Sequence, residues 1–151
     1  MKKIIALLLV AICATSCGNN AVEVNIDSLA EAVVSSLEFE DELMKIDNEM
    51  AFYIHDVADE VKDTVVYLGS GATAEEVAVF EAKNKAAMKE LKEEIADYID
   101  DKREEYENYI PKEVARINKT VIVEKGNYLV LCINNDNEKT RSFIESYFKG
   151  E

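Results

Sequence analysis

The chain has 151 residues, 48% of them apolar and 32% charged, with a formal net charge of −14. That balance belongs to a globular protein and suits one domain with its own core, and the length is too short for two comfortable ones. Thirty-one acidic residues against 17 basic ones exclude nucleic acid as a partner, because phosphate binding requires clustered Lys and Arg, and argue against the protein body lying on an anionic membrane surface.

Lys2 and Lys3 precede the apolar run Ile4–Ile12, which closes on Ala14-Thr15-Ser16-Cys17. A positive start, a short apolar stretch and small residues before a cut site describe a secretory signal peptide. The run is roughly half the ~20 residues a helix needs to cross a bilayer core. A cysteine directly after the small residues makes this a lipoprotein signal. The thiol of Cys17 takes a diacylglyceryl group, cleavage falls between Ser16 and Cys17, and Cys17 becomes the lipid-bearing N-terminus. The rival readings are ordinary secretion with Cys17 as a bystander and a retained helix; Ala14 stands where such boxes mostly carry leucine. Residues 1–16 are then removed, 17–25 are the lipidated cysteine and a short tether, and 26–151 form a single domain. The tether Gly18–Asn25 spans at most about 26–29 Å when extended. Two acyl chains give a durable attachment, on the extracytoplasmic face of the cell membrane. The mature form, with 15 basic and 31 acidic residues left, stands at −16.

The cysteines separate by fate. Cys13 leaves with the signal and Cys17 is spent on lipid, so Cys132 has no partner. Between Leu131 and Ile133 it reads as a small buried hydrophobe in a strand rather than a reactive thiol.

Downstream, Asp27 is a suitable cap for a first helix through Ser36, with an apolar stripe of Leu29, Val33 and Leu37. Phe39–Ile46 shows no clear period. Asp47 caps a second short helix, Asn48–Ile54, and His55–Asp63 reads as loop. Thr64–Leu68 is β-branched and aromatic, hence a strand. Gly69-Ser70-Gly71 breaks it, and Glu75–Lys83 follows as a second strand with a well-buried face. Asn84 caps a long helix to about Tyr106, on which Met88, Leu91, Ile95 and Tyr98 step by three and four. Pro111 ends it. Val121–Val123 and Tyr128–Ile133 flank Glu124-Lys125-Gly126-Asn127, the clearest hairpin in the chain. Asn135 or Asp136 caps a final helix with Phe143, Ile144, Tyr147 and Phe148 on one side. The predicted order is α-α-β-β-α-β-β-α. It implies an α+β fold with a single four-stranded antiparallel sheet of two hairpins and helices packed mainly on one face.

The run Tyr67–Lys83 (YLGSGATAEEVAVFEAK), with the lipobox before it and KGNYLVLCI at 125–133 after it, resembles a family of small exported lipoproteins of Gram-positive bacteria defined by domain of unknown function 4358. The likeness covers nearly all of the mature chain, and SGATAEE…VFEA is its most specific part. It implies an extracytoplasmic lipoprotein with an α+β domain, and it brings no catalytic residue, ligand or partner.

Read by residue type, candidate sites are sparse. Gly69-Ser70-Gly71-Ala72-Thr73 offers backbone amides to an anion but lacks the lysine of a P-loop and precedes a strand, so a hairpin connection explains it. His55, the only histidine, has Asp56, Asp59, Glu60 and Asp63 nearby; it reads as a surface or loop histidine rather than a metal ligand or base. Asp97, Asp101 and Glu105 repeat at i, i+4 and i+8 within an acidic stretch, a solvated face whose alternative is a weak calcium site. Asn134–Glu138 lacks the glycine and terminal glutamate of an EF-hand loop and reads as capping. The tyrosines suggest core-edge packing, with an envelope glycan platform as the alternative. No nucleophile, base and orienting group assemble, and no cofactor is implied. The functional expectation is a non-enzymatic binding or adaptor domain tethered at the cell envelope, with an envelope protein or glycan as partner. The alternatives are an envelope hydrolase using Glu75 and Glu76 and a weak calcium-responsive module.

Overall fold

The structure is a computed structural model that describes residues 23–150. Met1–Cys17, and with it the cleavage and lipidation assignments at Ser16 and Cys17, lies outside the described residues. In chain order the elements are α1 (Ile26–Ser36), β1 (Met44–Lys45), α2 (Asn48–His55), β2 (Val61–Leu68), β3 (Glu76–Ala82), α3 (Lys85–Tyr109), a 3₁₀ turn (Pro111–Glu113), α4 (Val114–Ile117), β4 (Val121–Lys125), β5 (Tyr128–Ile133) and α5 (Asn137–Lys149). Among the described residues no helix is long and apolar enough to cross a membrane.

The fold is α+β, but the sheet has five antiparallel strands, not four, in the order β1-β2-β3-β5-β4. The extra strand is the two-residue β1, which pairs Met44 with Leu68 and Lys45 with Tyr67 at the β2 edge. Two residues carry too little alternation to be read as a strand. The two expected hairpins are present, and they join through the central β3–β5 ladder, where Val77 faces Cys132 and Val79 faces Val130.

Helices cover both sides of the sheet, which corrects the one-sided packing expected. Every residue of β5 is buried, as are all but Glu81 in β3, and strands covered on both faces read as near-continuous apolar runs. On one side Val66, Ala78, Phe80, Ala82, Leu129 and Leu131 pack against Ala51 of α2 and Met88, Leu91 and Ile95 of α3. On the other, Val65, Val77, Val79, Val121 and Val130 pack against Leu29, Ala30 and Val33 of α1 and Ile144 and Phe148 of α5.

Local signals explain the element boundaries. Asn25, not Asp27, caps α1 by accepting from the Ser28 amide. Asp47 accepts from Met50, Asn84 from Ala86 and Ala87, and Asp136 from Lys139, each satisfying an amide that the first turn leaves unpaired. Helix α3 runs three residues past the expected end and stops at Ile110, whose φ of −137° and ψ of 76° answer to the restriction imposed by Pro111. The β4–β5 loop is Gly126-Asn127, with φ of 62° at Gly126 and no positive φ at Asn127, the pattern of a type II′ hairpin turn.

Candidate functional site

Where β3 begins, strand alternation sends Glu75 and Glu76 into two different polar networks. Glu76 shares its face with Ala78, Phe80 and Ala82, beneath α2 and α3, and is fully buried. One carboxylate oxygen lies 2.6 Å from His55 Nε2. The other accepts from the Tyr98 hydroxyl at 2.5 Å and from Lys102 Nζ at 2.7 Å. Tyr98 in turn accepts from Lys102 at 3.0 Å. His55 Nδ1 donates to the Ala51 carbonyl at 2.8 Å. Because that carbonyl can only accept, Nδ1 is the donor there. The ring is held edge-on to Phe80, 5.2 Å between centroids, and tilted against Tyr98 at 4.5 Å. Burial pushes the Glu76 carboxyl up, but the Lys102 charge and the His55 and Lys102 hydrogen bonds outweigh it and hold it at about 2.

Glu75 leads to the second network. Its oxygens accept the Glu40 amide at 3.0 Å, the Asp41 amide at 2.9 Å and the Thr73 hydroxyl at 3.1 Å. The Arg116 guanidinium, 6% exposed, lies 3.9 Å from Glu75 Oε1, 2.5 Å from Glu113 and 2.5 Å from Glu40. Its Nε donates to Asn135 at 3.1 Å, and Glu113 also accepts the Ala74 amide at 3.0 Å. The Arg116 hydrogen bond to Glu40 holds that carboxyl below its usual range. This network ties the α1–β1 connection, the β2–β3 loop and α4 together. Among the described residues every buried side-chain N or O has a hydrogen-bond partner.

The family model described as Domain of unknown function (DUF4358) matches residues 35–134. The chain belongs to this family. No curated protein and no solved structure matches it. The matched span of the DUF4358 domain holds the whole sheet, the first network and all of the second but Asn135, including Glu40, His55, Glu75, Glu76, Lys102, Glu113 and Arg116, and stops short of α5.

Within the DUF4358 domain the sequence-level candidates fall into new places. His55 is not a surface or loop residue; it ends α2 and is 1% exposed, and β2 begins at Val61 inside the segment expected as loop. The glycine loop does not present a free anion cradle. The Ser70 amide and hydroxyl both donate to Asp41, at 2.6 and 2.7 Å, and a Cβ on Gly69 would fall 2.7 Å from that same carboxylate oxygen. The Ala74 amide is taken by Glu113. The Glu75 and Glu76 side chains are both 0% exposed and point to opposite faces, so they do not form a carboxylate pair open to a substrate. Asp97, Asp101 and Glu105 lie along an exposed side of α3, and among the described residues no three His, Cys, Asp or Glu side chains gather closely enough to hold a metal ion. Cys132 is buried in β5, and burial pushes its thiol up to about 12.

Solvent reaches the first network only at its rim. A groove of about 660 Å³ runs between α2 and α3, lined by Tyr53, Asp56, Tyr98, Asp101, Lys102, Glu105 and Tyr106 among others. Tyr98 and Lys102 form its floor and connect it to Glu76, while Tyr106 donates to the Thr73 carbonyl at 2.8 Å. Sequence reasoning missed Lys102, Glu113 and Arg116 as partners. The available signal was Glu76 itself, a carboxylate at a position of β3 whose i+2 and i+4 neighbours are apolar, where a buried charge requires a partner.

Proposed function

We propose that this DUF4358 protein is a lipid-anchored, extracytoplasmic binding module without catalytic activity of its own. The observation that carries the reading is how its polar groups are used. The buried titratable side chains of both networks are internally satisfied, and both carboxylates considered for acid–base work are closed off from solvent. Catalytic carboxylates and nucleophiles must reach a substrate. Among the groups that remain open are the exposed tyrosines and acidic side chains of the α2–α3 face, which suit recognition. The lipobox at Ala14–Cys17 supplies the anchoring half of the proposal, and the acidic body leaves membrane attachment to the lipid.

Crosslinking and pull-down of the lipidated protein from intact cells tests both halves, with Cys17→Ser as control. A binding module on the membrane yields a specific partner that is lost in the control, whose precursor stays unlabelled by fatty acid. Normal lipid labelling of Cys17→Ser contradicts the anchor. Reproducible turnover of an envelope substrate, abolished by a point mutation, contradicts the non-enzymatic reading.

A further inference from the structure

The groove between α2 and α3 is lined by more acidic than basic side chains. Its walls carry Asp56, Asp101 and Glu105 together with Tyr53, Tyr98 and Tyr106. Among the described residues none of these three carboxylates takes part in a salt bridge. The one basic residue of the lining, Lys102, is turned inward, 2.7 Å from Glu76 and with its side chain 12% exposed, so its charge is met from beneath. Unpaired carboxylates beside tyrosine rings are the combination that holds an ammonium or guanidinium: the charge attracts, and the ring face adds a cation–π term once water is displaced.

Shape narrows the ligand further. The groove continues at one end into a hollow lined by Asp47, Glu49, Met50 and Tyr53, and at the other into one lined by Ser70–Ala72, Glu105, Tyr106 and Tyr109. From Tyr98 to Tyr109 helix α3 rises about 17 Å, the length of about five residues of extended chain. Small-molecule sites enclose most of their ligand, whereas this strip lies open along its length. Tyr53 is 87% exposed and Tyr109 73%, with Met50 beside Tyr53; such aromatics are hot-spot residues of protein interfaces.

Resting on the reading of the domain as a binding module, we infer that the α2–α3 groove docks an extended basic segment of a partner protein. A lysine or arginine of that segment lies over Asp101 and Glu105, and its apolar neighbours rest on Tyr53 and Tyr109. Charge complementarity makes the complex salt-sensitive.

The test uses the full-length chain in micelles of a neutral detergent, with a fluorescent peptide alternating arginine and leucine as probe and anisotropy as readout. The expected result is saturable binding that the Asp101→Asn/Glu105→Gln double variant and Tyr53→Ala each weaken about tenfold or more, and that about 0.5 M salt weakens as well. The Glu31→Gln/Glu138→Gln double variant removes the same charge from α1 and α5, behind the sheet, and leaves binding unchanged. Equal losses in the two double variants overturn the inference, because attraction is then only to net charge. Displacement of the probe by free spermine at constant ionic strength, with Tyr53→Ala binding like wild type, overturns the segment in favour of a small cation. Absence of saturable binding overturns the basic occupant. In intact cells, a partner crosslinked equally by wild type and by the Asp101/Glu105 variant removes the groove but leaves the binding module standing. No partner in either removes the module itself.

Discussion

Glu76→Gln tests the energetics of the core network with nearly no change of shape. With its single oxygen opposite His55, the amide turns its NH2 group toward the Tyr98 hydroxyl and Lys102, from which it cannot accept, so Lys102 loses both its acceptor and its counter-charge in a site where the wild-type carboxylate is fully buried. Removing one partner of a buried ion pair costs about 3–5 kcal/mol. The displacement of the Glu76 carboxyl from 4.5 to about 2 independently corresponds to about 3 kcal/mol at neutral pH. A loss of about 3–5 kcal/mol at pH 7 lowers Tm by roughly 10–20 °C in a domain of this size. The pH dependence follows from the sign. Because the folded value lies below the unfolded one, this stabilisation is complete above about pH 4.5 and is lost as pH falls toward 2, with about half remaining at pH 3. Urea unfolding followed by circular dichroism at pH 7 and pH 3 should therefore show a gap between wild type and variant that narrows on acidification. Glu81→Gln is the control, since its pair with Lys62 is largely exposed on the lysine side and an exposed pair of this kind contributes little to stability. A gap below about 1 kcal/mol at pH 7, or one that widens in acid, refutes the assignment of Glu76 as a buried, ionised anchor.

Arg116→Met removes the cation shared by Glu40, Glu113 and Glu75 and should cost about 3–5 kcal/mol in chemical unfolding; Arg116→Lys should recover only part of it, because an ammonium cannot reproduce the planar fork. Iodoacetamide at pH 8 should leave Cys132 unmodified in the folded protein and label it only on unfolding, since burial holds its thiol at about 12; mass spectrometry reads the difference. Gly126→Ala should destabilise by about 1 kcal/mol, because φ is +62° while space for a Cβ is open, and Gly126→Asn should cost less; melting curves of the two variants separate backbone strain from crowding.

Much of the fold is legible in sequence because it is written locally. The Gly126-Asn127 hairpin, the Asp47 and Asn84 caps and the three-and-four stepping of Met88, Leu91 and Ile95 each act within a few residues. What was not legible depends on distant partners. β1 is two residues long and exists because the edge of β2 receives it. Phe80 and Val79 are both buried, which fits a strand covered on either face, yet which helix covers which side is settled by the order of strands in the sheet. His55 sits among acidic neighbours in sequence but packs against Phe80 and Tyr98 in space. Arg116 and Glu113, on the short segment after Pro111, meet Glu75 and the Ala74 amide respectively only because α3 returns the chain to that end of the sheet.

A photocrosslinking side chain placed at Tyr53, in the lipidated protein on intact cells, is the most direct test of a tethered module that binds through its α2–α3 face. The same probe at Glu31 on α1 serves as the comparison. Binding through the groove predicts one dominant crosslinked protein from position 53 and none from position 31. Equal background from both positions contradicts it.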